Sequence, residues 1–491
     1  MSKLLKEYKL TIGIECHVQL KTLSKLFSGA SNDDRNSDPN TLVNHIDFGL
    51  PGALPVLNKE VIKLASKAAF ALNAIPEIFS KFDRKHYFYP DLPMGYQITQ
   101  FDQPIIKSGY VEIDSEAGTK LIRINRAHIE ADAGKSIHPS SASYSLVDLN
   151  RANTPLLEIV SEPDMHSAVE AKNYAETLYL LMRYAEVSDA NLFYGNMRFD
   201  VNVSVSKSSE LGVRTEIKNL NSFKAIQKAI NYEYDRQVKL LEDRLPVIQE
   251  TRGWDDNNSS TYSLRSKENS DDYRYMPDPD LPPIRLDEEY IAVIKNSMPK
   301  LPAFYKNRLT EKGISSSFIN SILLFALDDG NDVLEYLINA NLTQAQELAK
   351  LVVNITIPTR NDLIEQNSTK KIANFNELKE TYLNLLQLSR DSMISSTSLK
   401  EYLRSIIIEG KVSKDIKKDI EARGLLQNSD PSMIIELVKE VLSNNPKAAK
   451  ELQNGEQKVI GFLIGGVMKK TRNQADPKIV AKLIRKELNL E

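Results

Sequence analysis

The chain has 491 residues, enough for two to four domains, and its 41% hydrophobic and 26% charged content is that of a globular protein rather than a disordered or fibrous one. Its net charge of −3 is uneven: residues 401–491 carry 17 Lys+Arg against 13 Asp+Glu, net +4, leaving −7 for the rest, so an anionic partner such as RNA would suit the tail. The single cysteine, Cys16, excludes an intrachain disulfide and a cysteine-based zinc site; no apolar stretch reaches the roughly 18 residues of a membrane span, and Met1–Tyr8 lacks a signal peptide's apolar run, so a cytoplasmic setting is expected.

Residues 12–20, I-G-I-E-C-H-V-Q-L, alternate strictly and predict a strand with Ile12, Ile14, Cys16, Val18 and Leu20 on one face and Glu15, His17 and Gln19 on the other. Asn58 is placed to cap a helix with the apolar stripe Val61, Leu64, Ala65, Ala68 and Leu72. Residues 81–100 set Arg84 and Lys85 beside Tyr87, Phe88 and Tyr89; cations among aromatics suit a single-stranded nucleic-acid end, and equally a packed loop whose cations reach solvent. His128, Glu130 and Asp132 follow at period two, then Asp148 and Asn150. Ser167 with Glu170 reads as a capping box opening a helix to about Ala185. Residues 197–205 repeat the first strand's design, with Arg198, Asp200, Asn202 and Ser204 opposite Phe199, Val201, Val203 and Val205. Two antiparallel strands with one wet face would show the same pattern. Glu216 and Lys218 share a face, Ser222 caps a helix to about Leu241, and residues 265–275 add Arg265, Lys267 and Arg274.

Of 21 prolines, 17 fall by position 302, and the remainder of the chain has helical spacing. The predicted organisation is an α+β domain over residues 1–295, closed by the Pro-rich stretch 276–283, a helical domain over 296–409, and a helical tail over 410–491. In the tail Asn454-Gly455 breaks the chain and Asp476-Pro477 opens the last helix.

Standard motifs fail. Gly134-Lys135-Ser136 ends like a phosphate loop, but Ile129 stands where its first glycine belongs; His128-Ile129-Glu130 resembles a deaminase zinc motif without the cysteines; no nucleophile elbow or dinucleotide fingerprint is present. The set Glu15, Glu130 and Glu216 with one imidazole consists mainly of hard oxygen ligands and suits Mg²⁺ bound with substrate phosphates, the neighbouring Arg and Lys clamping a transferring phosphoryl group.

The segments I-G-I-E-C-H-V-Q-L, R-K-H-Y-F-Y-P-D-L-P-M-G-Y-Q-I-T-Q, D-A-G-K-S, V-D-L-N-R-A-N-T-P-L-L-E-I-V-S-E-P-D, T-E-I-K-N-L-N-S-F, E-T-R-G-W and D-Y-R-Y-M-P-D-P-D-L-P-P, in this order, resemble the GatB family of tRNA-dependent amidotransferase subunits, and G-F-L-I-G-G-V-M-K-K-T-R-N-Q-A-D-P is similar to that family's tail. The resemblance implies a cradle domain similar to glutamine synthetase-like and guanidino-kinase folds. It also implies a heterotrimer with an amidase subunit, GatA, and a small subunit, GatC. Such a complex uses ATP and Mg²⁺ to phosphorylate the side-chain carboxylate of misacylated Glu-tRNA(Gln) or Asp-tRNA(Asn), and ammonia from the amidase then displaces the phosphate.

The resemblance makes Glu15, His17, Glu130 and Glu216 catalytic residues and metal ligands converging on one site. Arg84, Lys85, Tyr87, Arg198, Asp200, Asn202, Lys218, Arg265 and Lys267 become nucleotide or substrate contacts, and Lys469, Lys470 and Arg472 tRNA contacts. The family pattern expects a second acid where Ala131 stands, with Asp132 or water compensating here, and a glutamate where Tyr194 stands; the tail's usual glutamine is Gly466. Many members carry a cysteine zinc knuckle after the first strand; residues 27–50 hold no cysteine, so no structural zinc is expected. A tRNA-binding scaffold without catalysis is the alternative reading.

Overall fold

The computed structural model describes residues 7–139, 142–266, 273–366, 373–427, 431–471 and 475–490. The chain forms two compact units, dividing between Pro302 and Ala303.

The first unit is α+β. Its sheet has eight strands: Lys9–Gln19 (β1), Gly109–Ser115 (β2), Gly118–Ala131 (β3), Pro155–Ser161 (β4), Met197–Ser206 (β5), Thr215–Leu220 (β6), Glu250–Asp255 (β7) and Ser260–Ser266 (β8), in spatial order β8-β7-β6-β5-β1-β4-β3-β2. Neighbours are antiparallel except the parallel pair β6–β7. The two alternating strands seen in the sequence lie side by side at the centre, with Glu15 opposite Asp200 and His17 opposite Arg198. Their apolar faces are buried together with helices Lys59–Ala71 (α1), Ala168–Tyr184 (α2) and Phe223–Glu242 (α3) in one core that includes Ile14, Cys16, Val201, Val203, Tyr174 and Ile226. Burying that face of a half-polar strand is what fixes register, since a slip of one residue would exchange the two faces.

All three helices begin at the expected caps: Asn58 accepts from the Glu60 amide, Ser167 from the Glu170 amide, and Ser222 from the Ala225 amide. The second half of the predicted capping box is displaced, because the Glu170 carboxylate accepts from the His166 amide, one residue before the cap, and from Lys120. The Pro-rich stretch belongs to the first unit. Met276–Pro277 pairs with strand Asp83–His86, Ile284–Arg285 with Phe79–Ser80, and helix Glu288–Asn296 packs on α1, so this unit runs past residue 295.

In the second unit the described residues form helices. Helix Ile416–Ala422 packs against Phe375–Arg390, while Pro431–Asn444, Ile460–Lys470 and Pro477–Glu487 share a separate core around Val438, Leu463, Val467 and Ile484. The core shared by these three helices draws on residues from Ile434 onward. The predicted break appears at Gly455, with φ +99°, and Asp476 caps the last helix ahead of Pro477. No helix of the described residues is long and apolar enough to cross a membrane.

Candidate functional site

The face of the sheet opposite the helices is polar over five neighbouring strands. β1 supplies Glu15 and His17, β5 Asp200 and Asn202, β4 Glu158, β3 His128 and Glu130, and β6 Glu216 and Lys218. All but Asn202 border one cavity of about 420 Å³, together with Lys85, Arg126, Arg214, Tyr273 and Tyr275. A bulge opposite Asp200 adds one residue to β6, with Asn219 at φ +66°, and sets Lys218 against Asp200. Bulges commonly re-aim a side chain in this way.

Among the described residues two groups on this face bring ligand atoms within 4.8 Å of one another: His17, Glu130 and Glu158; and Glu15, Asp200 and Glu216. The four residues expected at one centre are thus shared between two. Glu15 and His17 are two residues apart on a strand, roughly 6.8 Å at 3.4 Å per residue. Side chains at that spacing leave one face of the strand together, and here each joins carboxylates of different neighbouring strands.

In the first group Glu130 and Glu158 are shared by two imidazoles. His17 Nε2 lies 3.4 Å from each carboxylate, and His128 Nε2 lies 3.3 Å from Glu158 and 3.7 Å from Glu130. Burial alone would lower the His17 imidazole, but the Glu158 and Glu130 carboxylates push it from 6.5 up to about 9. His128 is raised against its burial by the same pair. Burial would raise Glu158, yet His128 and His17 hold it well below the usual carboxylate range. His128 Nδ1 is buried without a hydrogen-bond partner among the described residues.

The second group is three carboxylates around one ammonium. Lys218 Nζ is 2.6 Å from Asp200 and 3.7 Å from Glu216, and against its burial these carboxylates push it up. Asn202 donates to Glu15 at 2.9 Å and Thr251 to Glu216 at 2.7 Å. The buried Asn202 carboxamide oxygen has no hydrogen-bond partner among the described residues. An all-oxygen group with excess negative charge and an unsatisfied carbonyl fits a hard cation such as Mg²⁺; the first group, with one imidazole, fits the same class.

Other expected contacts are engaged elsewhere. Arg84 donates to Asp278 at 2.8 Å and Asp280 at 2.7 Å and stacks over Tyr96, which ties the Pro-rich segment to its hairpin. Arg198 and Arg151 share Asp132, at 2.8 and 3.0 Å. Burial would raise that carboxyl, and the two guanidiniums hold it below its usual range. Asp132 is thus paired with two guanidiniums and lies in neither close group, whereas Glu158, which the sequence did not single out, lies in the first. Ala131 is packed in the apolar core, on the face away from the site. Tyr194 is half-exposed, 5.8 Å beneath the Arg35 guanidinium and in neither group.

Lys85 borders the cavity; Tyr87 packs edge-on to Tyr273 beside it. Arg265 lies in β8, and Lys267 and Arg472 lie outside the described residues. Lys469 and Lys470 end helix Ile460–Lys470, with Lys470 ion-paired to Glu440. In the cysteine-free segment Asp47 accepts from Ser28 at 2.9 Å and Asn153 at 3.0 Å and lies 3.6 Å from the buried Lys25 ammonium.

Residues 10–292 match the family described as GatB/GatE catalytic domain, and residues 342–488 match the GatB domain. The chain belongs to the GatB/GatE family. Relatives extend over almost the whole length. The aspartyl/glutamyl-tRNA(Asn/Gln) amidotransferase B-subunit of Crocosphaera subtropica is 44% identical over 98% of both chains. That of Persephonella marina is 42% identical over 98% of this chain and all of its own. As a GatB-family chain it is an enzyme component of the amidotransferase class. The polar sheet face lies wholly inside the segment that matches the catalytic domain.

Proposed function

We propose that this chain is the tRNA-binding kinase and transamidase subunit of a cytoplasmic, glutamine-dependent amidotransferase, working with GatA and GatC on Glu-tRNA(Gln), Asp-tRNA(Asn) or both. The first unit is then the cradle, similar to glutamine synthetase-like and guanidino-kinase folds. The observation that carries the reading is the pair of ligand groups on one sheet face, bordering one cavity with Lys85, Arg126, Arg214 and Lys218. A carboxylate resists acyl transfer because oxide would have to leave. Attack of the carboxylate oxygen on the terminal phosphorus of ATP releases ADP and gives an acyl phosphate, from which ammonia expels phosphate to leave the amide. Mg²⁺ held by His17, Glu130 and Glu158 and by Glu15, Asp200 and Glu216 would supply charge compensation at the phosphates when bound. The basic side chains at the cavity hold anionic oxygens, Asn202 orients Glu15, and Thr251 orients Glu216. In the tail, Lys469, Lys470 and Arg472 contact the tRNA backbone.

The test is the heterotrimer supplied with Glu-tRNA(Gln) and Asp-tRNA(Asn) in parallel, measuring ADP and amide. ATP hydrolysis stimulated by a misacylated tRNA is expected, and Glu15→Gln abolishes amide formation while glutamine hydrolysis in the partner continues. Transamidation at full rate by Glu15→Gln would remove this residue from its role. ATP hydrolysis indifferent to charged tRNA would leave only the scaffold reading.

A further inference from the structure

Two imidazoles meet the carboxylates of the first group, and they do so unequally. His17 lies on β1 and His128 on β3, with β4 between them, and Glu158 on β4 stands opposite both in register. Both rings face one atom, Glu158 Oε2, with His17 Nε2 at 3.4 Å and His128 Nε2 at 3.3 Å. Glu130 divides its oxygens between them, Oε1 lying 3.4 Å from His17 and Oε2 3.7 Å from His128. What lies behind the rings differs. The His17 side chain is 21% exposed, that of His128 only 4%. His128 Nδ1 is closed off from solvent and has no hydrogen-bond partner among the described residues.

An imidazole that ligates a cation offers the lone pair of one ring nitrogen, and the other nitrogen carries the hydrogen. That N–H is ordinarily received by a carboxylate, a carbonyl or water, which fixes the ring. Were His128 to ligate through Nε2, its hydrogen would stand on Nδ1, where the described residues offer no acceptor, and a buried donor left unpaired is unfavourable. With the hydrogen on Nε2 it meets Glu158, and the burial that counts against ligation strengthens this hydrogen bond. We propose that His128 is a positioning residue: it donates through Nε2 to Glu158 and so keeps this carboxylate, and Glu130 beside it, turned toward a cation whose one nitrogen ligand is His17. This rests on the reading that His17, Glu130 and Glu158 bind a divalent cation, and it adds what holds the two carboxylates in place.

The probe is Mn²⁺, which suits the same oxygen and imidazole donors as Mg²⁺ and is paramagnetic. Pulsed electron paramagnetic resonance of the full heterotrimer, without tRNA or turnover, reads a nitrogen coupling from an imidazole bound directly to the ion. The all-oxygen group of Glu15, Asp200 and Glu216 gives none. Wild type, His17→Gln, His128→Gln and His128→Leu are compared. At saturating Mn²⁺ the coupling should vanish in His17→Gln and persist in both His128 variants. His128→Leu should weaken Mn²⁺ binding at the nitrogen-coupled site by about 10- to 100-fold. His128→Gln, whose amide donates from nearly the position of Nε2, should stay within about threefold of wild type. Loss of the coupling in His128→Leu, or its survival in His17→Gln, would make His128 the ligand and overturn the proposal. Unchanged affinity in His128→Leu, or equal weakening in His128→Gln and His128→Leu, would overturn it too, leaving His128 a packing residue. Should His128→Leu fail to fold, His128→Asn, whose amide falls short of Glu158, is read by the same criteria. Wild type without nitrogen coupling would overturn the cation reading of the group and this proposal with it, whereas a coupled wild type with any of the contrary results counts against the role of His128 alone.

Discussion

Replacing Glu158 by Gln keeps the shape of the side chain and removes the charge that His17 and His128 share. The rise of His17 from 6.5 to about 9 corresponds to about 3 kcal/mol at about 1.4 kcal/mol per pH unit. Glu158 acts on His17 both as hydrogen-bond partner and as charge, with Glu130 as a second charge, so a large part of that rise depends on it. The sign follows from linkage. A group whose folded pKa is raised contributes stability that is complete below its unfolded value, here 6.5, and is lost as pH climbs through about 9. In metal-free protein, Glu158→Gln should therefore cost about 1–3 kcal/mol at pH 6 and clearly less at pH 9.5, where His17 is mostly neutral in both forms. The chain's only tryptophan, Trp254, is buried in β7 of the same unit, so urea unfolding followed by its fluorescence reports this unit locally. A destabilisation of equal size at both pH values would refute the charge-sharing argument and leave only altered packing. Mg²⁺ affinity should also fall in the variant, by at least the 10- to 100-fold seen when an outer partner of a metal ligand is lost.

Lys218→Met leaves Glu15, Asp200 and Glu216 without their ammonium. The metal-free chain should lose about 1–2 kcal/mol, discounted because Lys218 is one-third exposed, and saturating Mg²⁺ should restore more stability to the variant than it adds to wild type; equal shifts on adding Mg²⁺ would argue against a cation site there. Elemental analysis of purified protein should find far less than one zinc per chain, since Cys16 is the only thiol and is buried in the core; stoichiometric tightly held zinc would contradict this. Lys469→Glu should weaken tRNA binding and flatten its salt dependence more than Lys470→Glu does, because Glu440 already offsets the Lys470 charge. Equal effects of the two reversals, or none, would detach this helix end from tRNA.

The half-polar strands were legible because period two sorts side chains in the sequence itself: Glu15 and His17 against Ile14 and Cys16, Asp200 and Asn202 against Val201 and Val203. Helix starts were legible for a similar reason, since an oxygen that accepts from the second or third helical amide is a local event. Glu158 was not legible. Its strand is central, with β1 on one side and β3 on the other, and its sequence P-L-L-E-I-V-S reads as a continuous apolar run in which one carboxylate resembles noise. What betrays it in retrospect is a charge inside a segment otherwise fit for complete burial, where a group is retained only with partners. One ring stack was hidden differently. Phe101 and Tyr275 are 174 positions apart, and the pairing of Met276–Pro277 with strand Asp83–His86 brings their segments together.

Parity also decides what the departures from the family pattern mean. In β3, Ala127, Ile129 and Ala131 enter the core while His128 and Glu130 face the cavity. A carboxylate at 131 would have to stand in the hydrocarbon between sheet and helices, at a cost of several kcal/mol unless paired, and on that face it would add nothing to the ligand groups. Ala131 therefore removes no ligand from the first group, which His17, Glu130 and Glu158 complete from three adjacent strands. Tyr194 precedes β5, lies beneath the Arg35 guanidinium and belongs to neither group. The scaffold reading drew its force from position 131. With Ala131 facing the core, a loss of catalysis would have to be sought among residues that the chain retains.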